Sequence, residues 1–365
     1  MRKNDTLRLI VLDNCKEFGT KVNENINILR DNDKMYIVPH CLSRFSNGEG
    51  KAKIEDSVRD KDVYIISDVG NYSQSYIMHG MEHHVSPDEH YQDIKRVISA
   101  ASGHASKINL VMPLLYQSRQ HKRKSRESLD CAIALQELEQ LGVDNIITFD
   151  AHDPNVSNAI PKLPFENIYP TYTIVDTLVE QEKSEIANLL VVSPDMGAMD
   201  RARYYADILG TDVGAFYKRR DLSKLVNGKN PIIEHVYMGA NVKGKNVLVV
   251  DDMIASGGSM IEVAQELNLR GAKNIYLAAT FTLLTEGPEG FIKAYKNGIF
   301  NKLYSTNLSY VPDKIKNEEW YVEVDCSMQL AQIIHTLNNK DSLKDLFNIK
   351  DKILEKIERF KTKWK

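Results

Sequence analysis

The chain lacks any apolar run long enough to cross a membrane, and its first stretch, MRKNDTLRLIVLDNCKEFGT, has no long apolar core after its charges. Neither a membrane span nor a secretory leader is expected, which leaves a cytoplasmic protein. Cysteine is scarce. Cys15, Cys41, Cys131 and Cys326 are scattered without metal or redox spacing, as reduced thiols would be. A basic surplus is missing too: 47 Lys and Arg stand against 50 Asp and Glu, and the basic residues are dispersed, so no nucleic-acid surface is indicated. What the 365 residues do contain is an ordinary globular mixture, 42% hydrophobic and 27% charged. A chain of that length suits two domains better than one core.

The richest stretch spans residues 245–280, KNVLVVDDMIASGGSMIEVAQELNLRGAKNIYLAAT. Residues 247–250 are apolar and mostly β-branched, which suits a strand buried on both faces. Asp251 and Asp252 follow at once, then a turn of small residues, Ala255-Ser256-Gly257-Gly258-Ser259. Met260, Val263, Ala264 and Leu267 fall at i, i+3, i+4 and i+7 and predict a helix, with Gly271 as its stop. Residues 275–280 supply a second strand and complete a βαβ unit. Open parallel sheets bind ligands at the carboxyl ends of their strands. Consecutive N–H groups leading into a helix favour a phosphate there. The two Asp repel a phosphate but suit hydroxyls or a metal, so a sugar phosphate is the simplest ligand. The plain alternative is a turn whose Asp and Ser only cap the helix.

Other candidate strand ends carry polar clusters. Residues 7–12 and 35–38 read as the first two strands, the second ended by Pro39. The segment Arg44-Phe45-Ser46-Asn47-Gly48-Glu49 is by itself a turn. A polar patch with His83, His84 and His90 has no defined metal spacing and reads as a solvated loop. The strand at 108–115 runs into five positive side chains between Arg119 and Arg126, a solvated basic turn or a polyphosphate site. The strand at 146–149 ends in Asp150-Ala151-His152-Asp153, where the His suits a metal ligand, a general base or a turn. Residues 154–172 are rich in Pro and Asn, break every period and read as the domain boundary. Beyond it, residues 189–192 end in Ser193-Pro194-Asp195-Met196-Gly197-Ala198 and a helix over 199–209. The strand at 213–217 runs into Lys218-Arg219-Arg220. A loop over 223–231 follows, suited to closing over reactants and excluding water. Leu346, Ile349, Ile353, Ile357, Phe360 and Trp364 form a terminal helical stripe suited to packing on the parent domain or a sister subunit.

VLVVDDMIASGGSM resembles the ribose 5-phosphate/PRPP loop of phosphoribosyltransferase-type folds, and its opening is most similar to ribose-phosphate diphosphokinases (PRPP synthetases). The likeness extends over roughly residues 40–347. It implies an α/β fold of two phosphoribosyltransferase-like domains, each a mostly parallel sheet flanked by helices. The domains are expected at 1–160 and 161–340, with a helical extension at 341–365. It also implies transfer of the β,γ-diphosphoryl group of MgATP to O1 of ribose 5-phosphate, giving PRPP and AMP. By the same resemblance Phe45, Asn47, Glu49, Arg119 and Gln120 bind ATP, with the site shared between subunits of a homo-oligomer. Asp195, Asp251, Asp252, Ser256, Gly257, Gly258 and Ser259 bind ribose 5-phosphate, and His152 and Asp195 hold Mg²⁺. Lys218 and Arg220 are the implied catalytic residues, because diphosphoryl transfer rests mainly on positive groups that follow the developing charge.

The sequence departs from the family pattern at several points. Asn47 stands where Asp is commoner, Ala198 replaces a Gly, and Ala255 replaces an Asp. Ser256 and Ser259 replace Thr, the segment after Gln120 is one residue shorter, and the region over 68–106 is longer. If position 198 needs a positive φ, Ala costs about 1 kcal/mol or more there. Two other readings share the central loop. One is a non-catalytic regulatory homologue, favoured by Ala255 and Ala198, and the other is a PRPP-consuming phosphoribosyltransferase, which has no use for the ATP segments.

Overall fold

The computed structural model describes residues 5–220, 232–347 and 350–363. The chain divides into two units. The first comprises residues 5–170, 307–310 and 325–347, and the second residues 171–306, 311–324 and 350–363.

The first unit begins with β1 (Leu7–Val11) and α1 (Lys16–Arg30), followed by β2 (His40–Arg44), β3 (Gly50–Ile54) and β4 (Asp62–Ile66). Next come β5 (Ser75–Met78), β6 (Met81–His84), α2 (Pro87–Ala101) and β7 (Lys107–Val111). It continues with α3 (Asp130–Gln140), β8 (Asn145–Phe149) and β9 (Phe165–Ile168). Its sheet has the order β1-β4-β7-β8-β9 and every pairing is parallel. The apolar runs LIV of β1 and VYII of β4 are buried in this sheet because both of its faces are covered and no alternation with polar residues is required.

The second unit holds α4 (Thr171–Glu182), β10 (Leu189–Ser193), α5 (Met199–Leu209), β11 (Val213–Arg220) and β12 (Ile232–Met238). Then follow β13 (Asn246–Ile254), α6 (Gly258–Leu269), β14 (Asn274–Thr282), α7 (Glu289–Lys296), β15 (Lys302–Thr306), α8 (Asp313–Lys316) and β16 (Tyr321–Val324). The strand order is β12-β11-β10-β13-β14-β15-β16, with only β12 antiparallel to its neighbour. Met260, Val263, Ala264 and Leu267 of α6 are all buried in one core with Phe291 and Trp320. Met260, Val263 and Leu267 are each worth roughly 1.5–3 kcal/mol when fully removed from water.

The last elements are α9 (Ser327–Asn338), α10 (Lys344–Phe347) and α11 (Lys350–Lys363). The chain returns to the first unit for α9, which lies along α1. There Asn25 donates to Ser327 Oγ at 2.9 Å and Arg30 to Asn338 Oδ1 at 2.7 Å. Helix α11 packs on the second unit, with Ile353 and Ile357 buried and Lys356 bridging Asp176 and Glu180. Of the terminal stripe, Ile349 and Trp364 lie outside the described residues.

Four readings change. Residues 35–38 form only an isolated bridge, Leu9 with Ile37, because Pro39 has no N–H with which to continue a ladder. Residues 154–172 are not all linker: β9 pairs with β8, and the division of the chain falls at 170/171. The extension likewise splits, since residues up to 347 belong to the first unit and α11 to the second. The histidine-bearing patch is ordered rather than a loop, forming the β5–β6 hairpin and the start of α2.

Candidate active site

In the second unit the strand β13 runs through the carboxylate pair, since Asp251 still pairs with Ala279 and Ile254 with Thr282. The two carboxylates therefore sit on a paired strand rather than on a turn. Asp252 is 2% exposed and Asp251 is half-buried. Burial, and then the neighbouring Asp252 carboxylate, push the Asp251 carboxyl well above its ordinary range, while Arg201 opposes the rise. Arg201 Nη1 lies 3.8 Å from Oδ1 of each Asp. Two crowded carboxylates with one cation between them attract donors, and vicinal hydroxyls are donors of the right spacing and kind.

Beyond the pair the chain turns tightly into α6. Gly257 has φ +90°, and a Cβ there would lie 2.3 Å from a ring carbon of Phe291. Glycine is required at this position on both counts. No side chain caps the start of α6, whose first turn is Gly258, Ser259 and Met260. A helix start without a side-chain cap, carrying exposed Ser256, Gly258 and Ser259, has the electrostatics of an anion site.

The turn after β10 is built around Asp195, whose Oδ1 accepts from the N–H groups of Gly197 at 2.8 Å and Ala198 at 3.1 Å. Ala198 has φ −89°, so the methyl group carries no left-handed strain. The anticipated cost of Ala198 disappears because the bend is made by the Asp195 side chain instead. Lys218 and Arg220 stand near the end of β11, in register with His235 and Ile232 of β12. The loop at 223–231 lies outside the described residues.

In the first unit the β2–β3 hairpin presents Phe45, Asn47 and Glu49 at its tip. Phe45 is 56% exposed. Its N–H donates to Glu49 O and Gly48 N–H to Phe45 O, both at 2.8 Å, and Gly48 takes φ +91°. Asn47 Nδ2 donates to Glu49 Oε2 at 2.9 Å, so the amide turns towards the carboxylate beside it.

The basic loop and the end of β8 meet. His121 is 3.3 Å from Asp153 Oδ2 and its other nitrogen is 3.2 Å from Ser118 O, while its ring lies 5.4 Å from that of His152. Gln120 Nε2 donates to Ser128 O at 2.8 Å, and Arg119 and His152 are exposed. Burial alone would raise the Asp153 carboxyl, but bonds from Asn155 and the charges of His121 and Lys122 outweigh it and hold it below its ordinary range. Among the described residues no group of three or more His, Cys, Asp or Glu is placed to hold a metal by itself. His152 offers an imidazole and Asp195 a carboxylate, and of these the carboxylate is the kind of donor that Mg²⁺ prefers beside waters and phosphate oxygens.

Sequence reasoning missed Arg201, His121 and Asp153. Arg201 had a signal: it precedes Tyr205, Ile208 and Leu209 by four, seven and eight residues, which is the buried face of α5. The His121–Asp153 contact joins segments far apart in the chain and leaves no periodic trace.

The N-terminal domain of ribose phosphate pyrophosphokinase matches residues 7–142, and the phosphoribosyl transferase domain matches residues 165–299. The ribose-phosphate pyrophosphokinase of Chlorobaculum tepidum is 30% identical over 265 residues, 72% of this chain and 73% of the relative. That of Staphylococcus saprophyticus is 27% identical over 347 residues, 95% and 98% of the two chains. The crystal structure of phosphoribosylpyrophosphate synthetase from Mycobacterium smegmatis superposes with a TM-score of 0.76 at 21% identity, covering 92% of this chain and 99% of the other.

Proposed function

The chain belongs to the ribose-phosphate pyrophosphokinase family, enzymes of PRPP synthesis, and from that premise we propose that it transfers the β,γ-diphosphoryl group of MgATP to O1 of ribose 5-phosphate. The products are PRPP and AMP. The observation that supports this assignment best is the sequence of features along β13 and α6: a crowded carboxylate pair, a turn that only glycine fits, and a helix start with no side-chain cap.

Each part has a role that its chemistry favours. Asp251 and Asp252 accept hydrogen bonds from the ribose hydroxyls, and Arg201 keeps the pair from repelling the sugar phosphate. Residues 256–259 hold the 5-phosphate by backbone N–H groups, hydroxyls and the helix dipole. Phe45 stacks on adenine, Asn47 and Glu49 bond the adenine edge or its ribose, and Arg119 and Gln120 bind the polyphosphate. Lys218 and Arg220 follow the negative charge that develops as the α,β-bridging oxygen leaves. His152 and Asp195 are the residues that would hold Mg²⁺, which when bound neutralises phosphate charge. The ATP site is shared between subunits of a homo-oligomer, in the cytoplasm.

The decisive assay supplies the purified chain with ribose 5-phosphate and MgATP and measures AMP and PRPP. Product is expected, and Lys218→Ala should lower the rate by about 10²-fold or more. No AMP from the wild type, with MgATP binding retained in calorimetry, would instead favour the regulatory homologue to which Ala255 points.

A further inference from the structure

Between β4 and α2 lies the β5–β6 hairpin, to which the reading of the site gives no role. The tip at Phe45 needs support. The β2–β3 ribbon is a separate two-stranded sheet, and such ribbons are marginal on their own in water. Where the ribbon meets its tip, Arg44, the residue before Phe45, makes a paired contact with Asp93 of α2 at 2.7 and 2.5 Å, and Arg96 joins the same carboxylate at 2.6 Å. The other face of the Arg44 guanidinium lies over the ring of Tyr76, 5.5 Å from its centroid. Tyr76 is itself fixed. Its hydroxyl donates to Glu89 Oε1 at 2.7 Å, Glu89 closes a capping box with Ser86, and His83 stacks on the ring at 6.0 Å. At the tip, Met78 abuts Gly48 so closely that a Cβ on that glycine would sit 2.6 Å from the sulfur.

We propose that the β5–β6 hairpin sets the nucleotide-recognising tip, with Tyr76 as a positioning residue that holds Arg44, and through it Phe45, and with Met78 as a stop against Gly48. The inference rests on the reading of Phe45, Asn47 and Glu49 as nucleotide contacts. It adds a determinant of ATP affinity that lies outside the motif itself. A side chain that only stabilised the fold would reduce the active fraction and leave the KM values alone. A positioning residue should move one substrate's KM selectively.

The test uses the full chain, steady-state kinetics and thermal denaturation. Tyr76→Ala and Met78→Ala are expected to raise KM for MgATP about three- to tenfold, with KM for ribose 5-phosphate and kcat within about twofold of wild type. Tyr76→Phe keeps the ring over Arg44 and should restore most of the affinity. Phe45→Ala, measured alongside, separates the two readings. If it leaves KM for MgATP unchanged, the tip does not bind nucleotide. If it raises that KM while Tyr76→Ala and Met78→Ala keep the wild-type value, the positioning role is wrong and the nucleotide reading stands. Should Tyr76→Ala fail to fold, Met78→Ala decides by the same criterion.

Discussion

Asp68 is a buried carboxylate held by donors, accepting from Gly70 N–H at 2.8 Å, Tyr310 N–H at 2.8 Å and the Ser309 hydroxyl at 3.0 Å. Burial nevertheless pushes its pKa up to about 6. Its folded value exceeds the unfolded one, so between roughly pH 4 and 6 the native chain binds a proton that the unfolded chain releases, and this contribution to stability is lost as pH rises. Asp68→Asn removes the titration. The unfolding free energy of wild type minus that of Asp68→Asn should therefore shrink by about 1–3 kcal/mol from about pH 4.5 to pH 7 in urea denaturation. A difference that stays constant would show that Asp68 does not titrate in the fold. At this scale the sequence was legible where a residue belongs to a motif, as with Asp251 and Asp252. It was silent where a side chain acts through a distant one: nothing around Asp68 or Asp153 announces Ser309 or His121.

Elements were easier to read than contacts. The period of α6 and the stop at Gly271 are as expected, and the bounds of α5 agree residue for residue. Where the reading failed, a local rule was outweighed by pairing. Polar Asp251 and Asp252 looked like the end of a strand, yet β13 continues because β14 offers partners as far as Thr282. The histidine patch looked solvated, yet its strands pair across His79 and Gly80, both with positive φ. The loop before α6 has no room for a methyl group at Gly257. Gly257→Ala meets both an unfavourable φ and the Phe291 ring, and should cost about 1–3 kcal/mol. It should also raise KM for ribose 5-phosphate more than KM for MgATP. Equal effects on both substrates would mean that the loop does not hold the sugar phosphate. Ala198→Gly should gain nothing, since Ala198 already sits at φ −89°.

At the scale of the molecule, chain length suited two domains and the resemblance implied that both are α/β, but neither told where the chain changes from one to the other. Helix α11 is worth testing as a fastening of the second unit. Ending the chain after Phe347 would uncover the surface that Ile353 and Ile357 bury and remove the Lys356 bridges. A fall in melting temperature of about 4 °C or more is expected, and an unchanged melting curve would make the helix dispensable. The return of α9 has a consequence of another kind, for synthesis. When a ribosome has released the first 170 residues, the face of α1 that α9 later covers is still bare, and it stays so until residue 338 has been made. The N-terminal unit therefore matures after most of the unit that follows it. A nascent chain stalled between the two is the species a chaperone would meet, and a gene cut at the apparent domain border would express a half that never closes.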